Sequence, residues 1–213
     1  MAVRVKTKDD FPLDPDAPRL QTALRYAATG SEHRNDMQIF PSSFSTPSGG
    51  GPFAEEGIRF TRVAELAQSA VELRLNSNDP HEQMFINCRY LEHPRDRERL
   101  REGIRIILDM MEHGSFNDIV EELISPVEAD LASDDTLDQW LLENVWIGQH
   151  LSGTCKMGPD SDEMAVVDQY GRVRGVQGLR VADASIMPDC IRANTNCTTI
   201  MIGERVANWI INQ

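Results

Sequence analysis

Positive charge, cysteine and long apolar runs are all scarce in this sequence. Lys and Arg total 21 against 34 Asp and Glu, which gives a formal net charge of -13. Such an acidic chain is repelled by phosphate backbones and by anionic lipid, so binding to nucleic acid or to a membrane surface is not expected. No apolar run approaches the ~20 residues that a membrane span needs, and the N-terminus has no apolar signal core. We therefore expect a globular cytoplasmic protein.

The few cysteines do not form a metal-binding or redox pattern. The sequence has no CxxC pair and no zinc-ligand spacing between cysteines and its five histidines. Buried, reduced thiols are therefore expected, as in a reducing compartment, and no metal site is predicted. The cysteines concerned are Cys88, Cys155, Cys190 and Cys197.

The sequence also lacks the glycine motif GxGxxG between a strand and a helix. This motif brings backbone N–H groups and a helix N-terminus onto a pyrophosphate. The glycines at positions 49, 50 and 51 lie in a Pro- and Ser-rich stretch with no helical pattern after it, which predicts a loop. The chain therefore lacks the pyrophosphate-binding turn of a Rossmann half.

The apolar periodicity predicts a mixture of strands and helices, and hence an α+β fold. Alternation over residues 70–77 buries only one face, which predicts an antiparallel sheet. Further strands are expected near residues 3–11, 36–40, 57–66, 172–174 and 179–183. Helices are expected over residues 14–29, 94–111 and 116–124, from Ser133 onward, and over 194–211.

The residues with the clearest chemistry lie between positions 150 and 205. His150 precedes a Gly-Thr turn, and Asn196 belongs to an Asn-Thr-Asn cluster before an apolar helix. A neutral imidazole can accept a hydroxyl proton, and an amide can hold the oxygen as it gains negative charge. This pair predicts half of an alcohol oxidation, and the other half needs a hydride acceptor.

The same stretch resembles the C-terminal part of the glucose-methanol-choline (GMC) flavoprotein oxidoreductases, in particular their choline dehydrogenase-like alcohol dehydrogenases. Residues 71–91 resemble the family's substrate domain. At Leu151-Ser152 the sequence departs from the His-Pro usual in the family, which leaves the backbone less constrained. The resemblance rests on His150-x-x-Gly-Thr-Cys-Lys-Met-Gly, Val167-Asp168, Gly171-Arg-Val-x-Gly-Val-x-Gly-Leu-Arg-Val-x-Asp183-Ala-Ser-Ile-Met-Pro, Asn194-x-Asn196-x-Thr198 and Met201-Ile-Gly-Glu-Arg.

The resemblance implies that the cofactor is FAD and that the chain comprises two domains with different functions. Residues 1–146 would form a substrate-binding cap domain, and residues 147–213 would form the C-terminal segment of the FAD-binding domain, with the active site. His150 would be the catalytic base and Asn196 the partner of the alkoxide, while the helix N-terminus would face the pyrimidine side of the flavin. The implied cofactor-binding residues are Asp183, Ala184, Asn194, Thr195, Cys197 and Thr198.

Simpler roles for these residues remain open from the sequence alone. Asp183 is also explained as a turn residue that accepts bonds from nearby N–H groups. Asn196 or Thr195 is also explained as a helix cap, and His150 as an ordinary structural histidine. These alternatives make no use of a cofactor.

Complete family members carry the glycine motif near their own N-terminus, so this chain resembles only their C-terminal half. It would oxidise a primary alcohol to an aldehyde, with hydride transfer to the flavin N5. Three interpretations are open: a fragment that is inactive alone, a subunit completed by a separate N-terminal flavin-binding half or by a homo-oligomer, and a non-catalytic interaction module.

Overall fold

The computed structural model describes residues 1–11, 16, 18, 20–43 and 57–212. Its contacts divide the chain into two units, Met1–Trp146 and Ile147–Gln213. This is the position at which the sequence analysis divides the chain, and the function of each unit stays a prediction. The predicted loop around residues 49–51 and part of the predicted helix at 14–29 lie outside the described residues.

The first unit is built on an antiparallel sheet of five strands in the order β2-β3-β4-β1-β7. A second sheet pairs β5 with β6. The antiparallel α+β architecture predicted from the sequence is confirmed. The strands are β1 Ala2–Thr7, β2 Leu24–Tyr26, β3 Met37–Ser42, β4 Ile58–Ala64, β5 Glu72–Arg74, β6 Phe85–Asn87 and β7 Val120–Ser125.

Two helices of this unit begin and end as their sequence signals indicate. Helix α1 (Pro94–Met111) has Pro at its first position, where no intrahelical N–H is lost. Helix α2 (Asp134–Asn144) starts with a capping box in which Ser133 and Thr136 bond each other's backbone N–H groups. Helix α1 packs against β3, β4 and α2. The core comprises Val3, Val5, Met37, Ile39, Phe60, Leu100, Ile104, Ile107, Leu137, Trp140 and Leu141.

A buried ion cluster joins α1 to the loops of this unit. The Arg99 guanidinium lies 2.8 Å from Asp96 and 3.3 Å from Asp36. It also donates to the carbonyl oxygens of Glu65 and Leu66. Burial by itself raises the pKa of Asp96, but bonds from the Gln68 and Ser69 N–H groups, the Ser69 hydroxyl and Arg99 outweigh it and hold that pKa below its usual range. All charges in the cluster therefore have hydrogen-bonded partners.

Two predicted helices of the first unit are wrong. Residues 24–26 of the predicted helix at 14–29 form the strand β2, which pairs with β3. The predicted helix at 116–124 is a short 3-10 turn, Gly114–Phe116, followed by β7, which pairs with β1. Both strands lie at the ends of the sheet. Pairing with a neighbour decided their conformation, and local apolar spacing does not report that pairing.

The ribbon of β5 and β6 also departs from expectation. The alternation of residues 70–77 predicts one buried face, yet Val71 and Leu73 are exposed and Leu75 is 79 % exposed. Phe85 and Ile86 on the partner strand are exposed as well. The apolar face of this ribbon is therefore not covered within the described part of the chain.

The second unit consists of irregular chain held against one long helix, α3 (Asn196–Ile211). The two predicted strands near residues 172 and 180 are reduced to single bridges, Val167 with Val173 and Arg172 with Arg180. Gly171 has φ +73°, and an added Cβ would lie 2.6 Å from the Val181 carbonyl oxygen. Only glycine fits this close approach. The core of the unit comprises Val167, Ile186, Met187, Ile202 and Val206.

Within the described ranges, no helix combines the length and apolarity needed to cross a bilayer.

Candidate active site

The chain that follows His150 is held by a ladder of backbone hydrogen bonds. The N–H groups of Gly153, Cys155 and Met157 donate to the carbonyl oxygens of residues 184, 185 and 186, at 3.3, 2.9 and 2.8 Å. Gly153 adopts φ +81°, a conformation that glycine reaches without strain. The Gly-Thr turn of the motif thus fixes the segment directly after the histidine.

The His150 ring meets the amide of Asn194. Asn194 Nδ2 lies 3.3 Å from His150 Nε2. Because an amide nitrogen can only donate, these two atoms form a hydrogen bond when Nε2 carries no proton. The backbone carbonyl of His150 also lies 4.0 Å from the Cys190 thiol. Residues far apart in sequence thus bring the Nε2 atom of a half-buried imidazole to an amide group.

Helix α3 begins immediately after Asn194. Its N-cap residue, Thr195, makes no side-chain cap bond, and no acidic residue occupies the first turn. The side-chain cap expected from Thr195 or Asn196 is therefore not formed. The first-turn N–H groups of Asn196, Cys197 and Thr198 therefore receive no hydrogen bond from the side chain of the N-cap residue. Such a helix start is suited to a negative charge.

Asp183 has a defined local role. Its Oδ1 accepts from the Ser185 N–H at 2.8 Å and from the Ser185 hydroxyl, and it caps the 3-10 turn Ala184–Ile186. These bonds hold the pKa of Asp183 below its usual range. The Ala184 carbonyl accepts from Gly153 N–H, as part of the ladder. The turn role considered for Asp183 is thus present, and contact of Asp183 and Ala184 with a flavin stays a prediction.

The structure brings together only some of the residues selected from the sequence. The amide that meets the His150 ring is that of Asn194, which was predicted to contact the cofactor. The catalytic roles of His150 and Asn196 stay predictions. Asn196 is the exposed first residue of α3. The sequence feature that could have indicated Asn194 is its position just before the helix. There the loop conformation, and not the helical repeat, sets the direction of the side chain.

The four cysteines form no disulfide within the described residues, as expected, but they are less buried than expected. Cys88, Cys155 and Cys190 are half-buried, and Cys197 is exposed in the first turn of α3. The Cys190 contact with the His150 backbone was not anticipated from the sequence. A single cysteine without a CxxC partner gives no pattern that would indicate it.

Comparison with known proteins gives consistent matches. Residues 67–203 match the family described as GMC oxidoreductase. The oxygen-dependent choline dehydrogenase of Escherichia coli (strain K12) is 39 % identical over 166 residues, which are 78 % of this chain and 29 % of that protein. The chain thus spans less than a third of the length of this relative.

Solved structures have the same fold. Pyridoxine 4-oxidase from Mesorbium loti superposes with a TM-score of 0.84 at 21 % identity, over 100 % of this chain and 42 % of that one. A formate oxidase variant from Aspergillus oryzae RIB40 superposes with a TM-score of 0.68 at 26 % identity, over 83 % of this chain and 31 % of that one. The resemblance noted from the sequence motifs is confirmed.

Proposed function

We propose, because the chain belongs to the GMC oxidoreductase family, that it supplies the alcohol-activating residues of an FAD-dependent oxidoreductase. The observation that carries this proposal is the 3.3 Å contact between His150 Nε2 and Asn194 Nδ2. The contact lies directly before the uncapped start of α3. A proton acceptor, an amide donor and a helix N-terminus are thereby adjacent in one unit.

The proposed reaction step is removal of the hydroxyl proton of an alcohol. His150 Nε2 accepts that proton, and Asn194 Nδ2 donates a hydrogen bond to the oxygen as it becomes negative. The proposed base is a neutral imidazole and the amide is neutral, so an alcohol whose hydroxyl replaces their mutual hydrogen bond meets no desolvated charge. The imidazolium formed then lies beside the alkoxide and stabilises it. Loss of the α-hydride to FAD, when that cofactor is bound, would then give the corresponding aldehyde.

FAD fits the residues present at one end of the cofactor. When bound, FAD would supply the hydride acceptor, and formate oxidase is a relative described with FAD modification. The first-turn N–H groups of Asn196, Cys197 and Thr198 would hold negative charge on the flavin ring system. Ala184 and Asp183 are proposed to lie along its polar chain. The glycine motif for the pyrophosphate is not in this sequence, so these residues fit only part of the cofactor.

The remainder of the site must come from other residues, since the chain spans 29 % of the length of its relative. We propose that a flavin-binding half completes the site, on the same polypeptide, on a separate one or on a second copy. The alcohol named in the relatives is choline. Choline is therefore the first substrate to test, beside simple primary alcohols.

A non-catalytic interaction module is the second candidate function, and the exposed apolar ribbon of β5 and β6 favours it. The two candidates differ in what they require of His150. An interaction module needs neither its imidazole nor the adjacent amide of Asn194.

The test is the rate at which alcohol reduces the flavin in the enzyme that contains this chain, measured anaerobically from loss of the visible flavin band. His150→Gln should slow reduction by about 10²–10⁴-fold, with FAD retained. The matched control is His81→Gln, because His81 is exposed in the first unit. Full-rate reduction by His150→Gln would exclude the proposed base.

A second pair of variants separates the two asparagines. Asn194→Ala should slow reduction by about 10²–10³-fold, as loss of an oxyanion donor does, while Asn196→Ala should slow it less than about tenfold. A larger decrease in the reduction rate for Asn196→Ala than for Asn194→Ala would instead support Asn196, the residue predicted from the sequence, as the partner of the alkoxide. Absorbance of the purified chain after mixing with FAD and desalting would show whether this chain retains the flavin without a partner.

A further inference from the structure

A buried arginine in the first unit has no carboxylate partner. Arg62 lies on β4, two residues after the core residue Phe60 and on the same face of the sheet, and it is 2 % exposed. Among the described residues, no carboxylate forms an ion pair with it. Arg99, which is buried to a similar degree, has two such partners. Arg62 is therefore a buried charge that the described side chains do not compensate.

The contacts that the Arg62 guanidinium does make are weak. Its central carbon lies 5.3 Å from the centre of the Trp140 ring, and its Nη2 lies 3.6 Å from the Met1 sulfur. Its Nε and Nη1 atoms are buried and have no hydrogen-bond partner in the described structure. Burial lowers the pKa of Arg62 to about 9, so the group is still cationic at neutral pH. An aromatic face and a thioether sulfur are weak acceptors and do not replace a carboxylate.

A second polar group without a partner lies close to Arg62. The Tyr26 hydroxyl is buried and forms no hydrogen bond with the described residues. Gly103 of α1 locates the two groups, because a Cβ added there would lie 2.9 Å from the Tyr26 oxygen and 3.3 Å from Arg62 Cδ. Arg62 Cδ is bonded directly to the unpartnered Nε. The hydroxyl and the guanidinium therefore approach the same point of the helix.

A third group in contact with both side chains would remove two unfavourable terms. A buried charge without a counter-ion is strongly destabilising, and a buried donor without an acceptor loses its hydration with no compensation. A water molecule could accept from the donors, but it would leave the charge of Arg62 uncompensated. A small anion would satisfy the donors and compensate the charge.

We propose that Arg62 and Tyr26 bind a small monovalent anion, of the size of chloride, inside the first unit. The Nε–H and Nη1–H groups of Arg62 and the O–H of Tyr26 are donors, and an anion can accept from all of them. A monatomic anion makes the smallest demand on the closely packed surroundings of Gly103. It would connect β2 to β4 across the intervening β3. The site uses none of the residues assigned to alcohol oxidation, so it is independent of that function.

The test is urea unfolding of the full 213-residue chain at increasing chloride concentration, with sodium isethionate keeping the ionic strength constant. An anion that binds only the folded state raises the folding equilibrium constant in proportion to its concentration once that concentration exceeds the dissociation constant. Each tenfold increase in chloride should then raise the constant about tenfold. A folding equilibrium constant that does not change with chloride would overturn the proposal.

Two variants assign the chloride dependence to the site. Arg62→Met removes the charge and should abolish the dependence. Tyr26→Phe removes a single donor and should raise the chloride concentration at which stabilisation begins by about tenfold or more. The matched control is Arg172→Met, because the Arg172 guanidinium also lies on an aromatic ring, 5.0 Å from the centre of Tyr170, but is exposed. This control should keep the chloride dependence of the unchanged chain, and equal effects of all three variants would contradict the assignment.

Bromide gives a direct readout, because anomalous scattering locates it in crystals of the chain grown with bromide in place of chloride. A bromide ion within hydrogen-bond distance of Arg62 and Tyr26 is the expected result. A water molecule at this position, with bromide bound only elsewhere, would show that the two side chains are hydrated and would refute the anion site.

Discussion

Replacing Asp96 by Asn tests whether the buried ion cluster stabilises the first unit. Asp96 is 2 % exposed and accepts four bonds: from Gln68 N–H at 3.0 Å, Ser69 N–H at 2.8 Å, the Ser69 hydroxyl at 2.7 Å and Arg99 at 2.8 Å. Asn has nearly the same shape, but its NH₂ group faces these donors and its charge is gone.

The expected loss follows from what remains around Arg99. Breaking a buried ion pair typically costs about 3–5 kcal/mol, because an uncompensated charge stays buried. Arg99 keeps Asp36 at 3.3 Å and the Glu65 carbonyl at 2.8 Å. We therefore expect the lower end, about 3 kcal/mol. With a urea m-value of about 2 kcal/mol/M, the unfolding midpoint should fall by about 1.5 M.

The assay is urea unfolding of the full chain, followed by tryptophan fluorescence and by hydrogen exchange of the α1 amides, which reports on the first unit alone. The matched control is Glu98→Gln, which removes an exposed ion pair with Arg95 from the same helix at the same three-residue spacing. Its midpoint should change by less than about 0.5 M. The reasoning is refuted if Asp96→Asn changes the midpoint no more than this control does.

Three further predictions use other contacts. First, the pKa values of Asp36 and Asp96, beside Arg99, are held below the usual range. The two carboxylates therefore stabilise the fold above the unfolded pKa of ~3.9, and this stabilisation is lost as pH falls through their lower folded pKa values. The urea midpoint of the chain should accordingly decrease below about pH 4. Second, Gly103→Ala should lower the unfolding temperature although Ala favours helices, because the new Cβ would lie 2.9 Å from the Tyr26 hydroxyl, and adding Tyr26→Phe should restore it. Third, Gly171→Ala should increase hydrogen exchange in the second unit more than Gly175→Ala does, since both have positive φ but only Gly171 meets a carbonyl oxygen at 2.6 Å.

Local sequence signals located the helices that have both an apolar stripe and a cap. The bounds of α1 agree with prediction because Pro94 starts it and Leu100, Ile104 and Ile107 repeat at helical spacing. The strands β2 and β7 were not predicted, since β2 has only three residues and each depends on a partner strand elsewhere in the chain. Backbone pairing with another segment of the chain has no local signature in the sequence.

In the candidate site, too, the sequence could not predict which individual residues are in contact. The motifs identified His150 and the Asn-Thr-Asn cluster as the relevant segments. They could not decide which asparagine meets the imidazole, because that depends on where α3 begins. The helix starts at Asn196, and Asn194 lies in the preceding loop, so its amide can turn toward His150.

The start of α3 therefore links two properties of the proposed site. If the helix began two residues earlier, Asn194 would follow the helical repeat and would no longer be free to face His150. Thr195, at the N-cap, makes no side-chain bond that would fix the start at this residue. The position is instead consistent with packing of Ile202 and Val206 in the core of the second unit. The packing of these two side chains, which lie one to three turns after the helix start, would thus keep the Asn194 amide beside His150. A larger side chain at Val206 should therefore displace Asn194 more than it displaces His150.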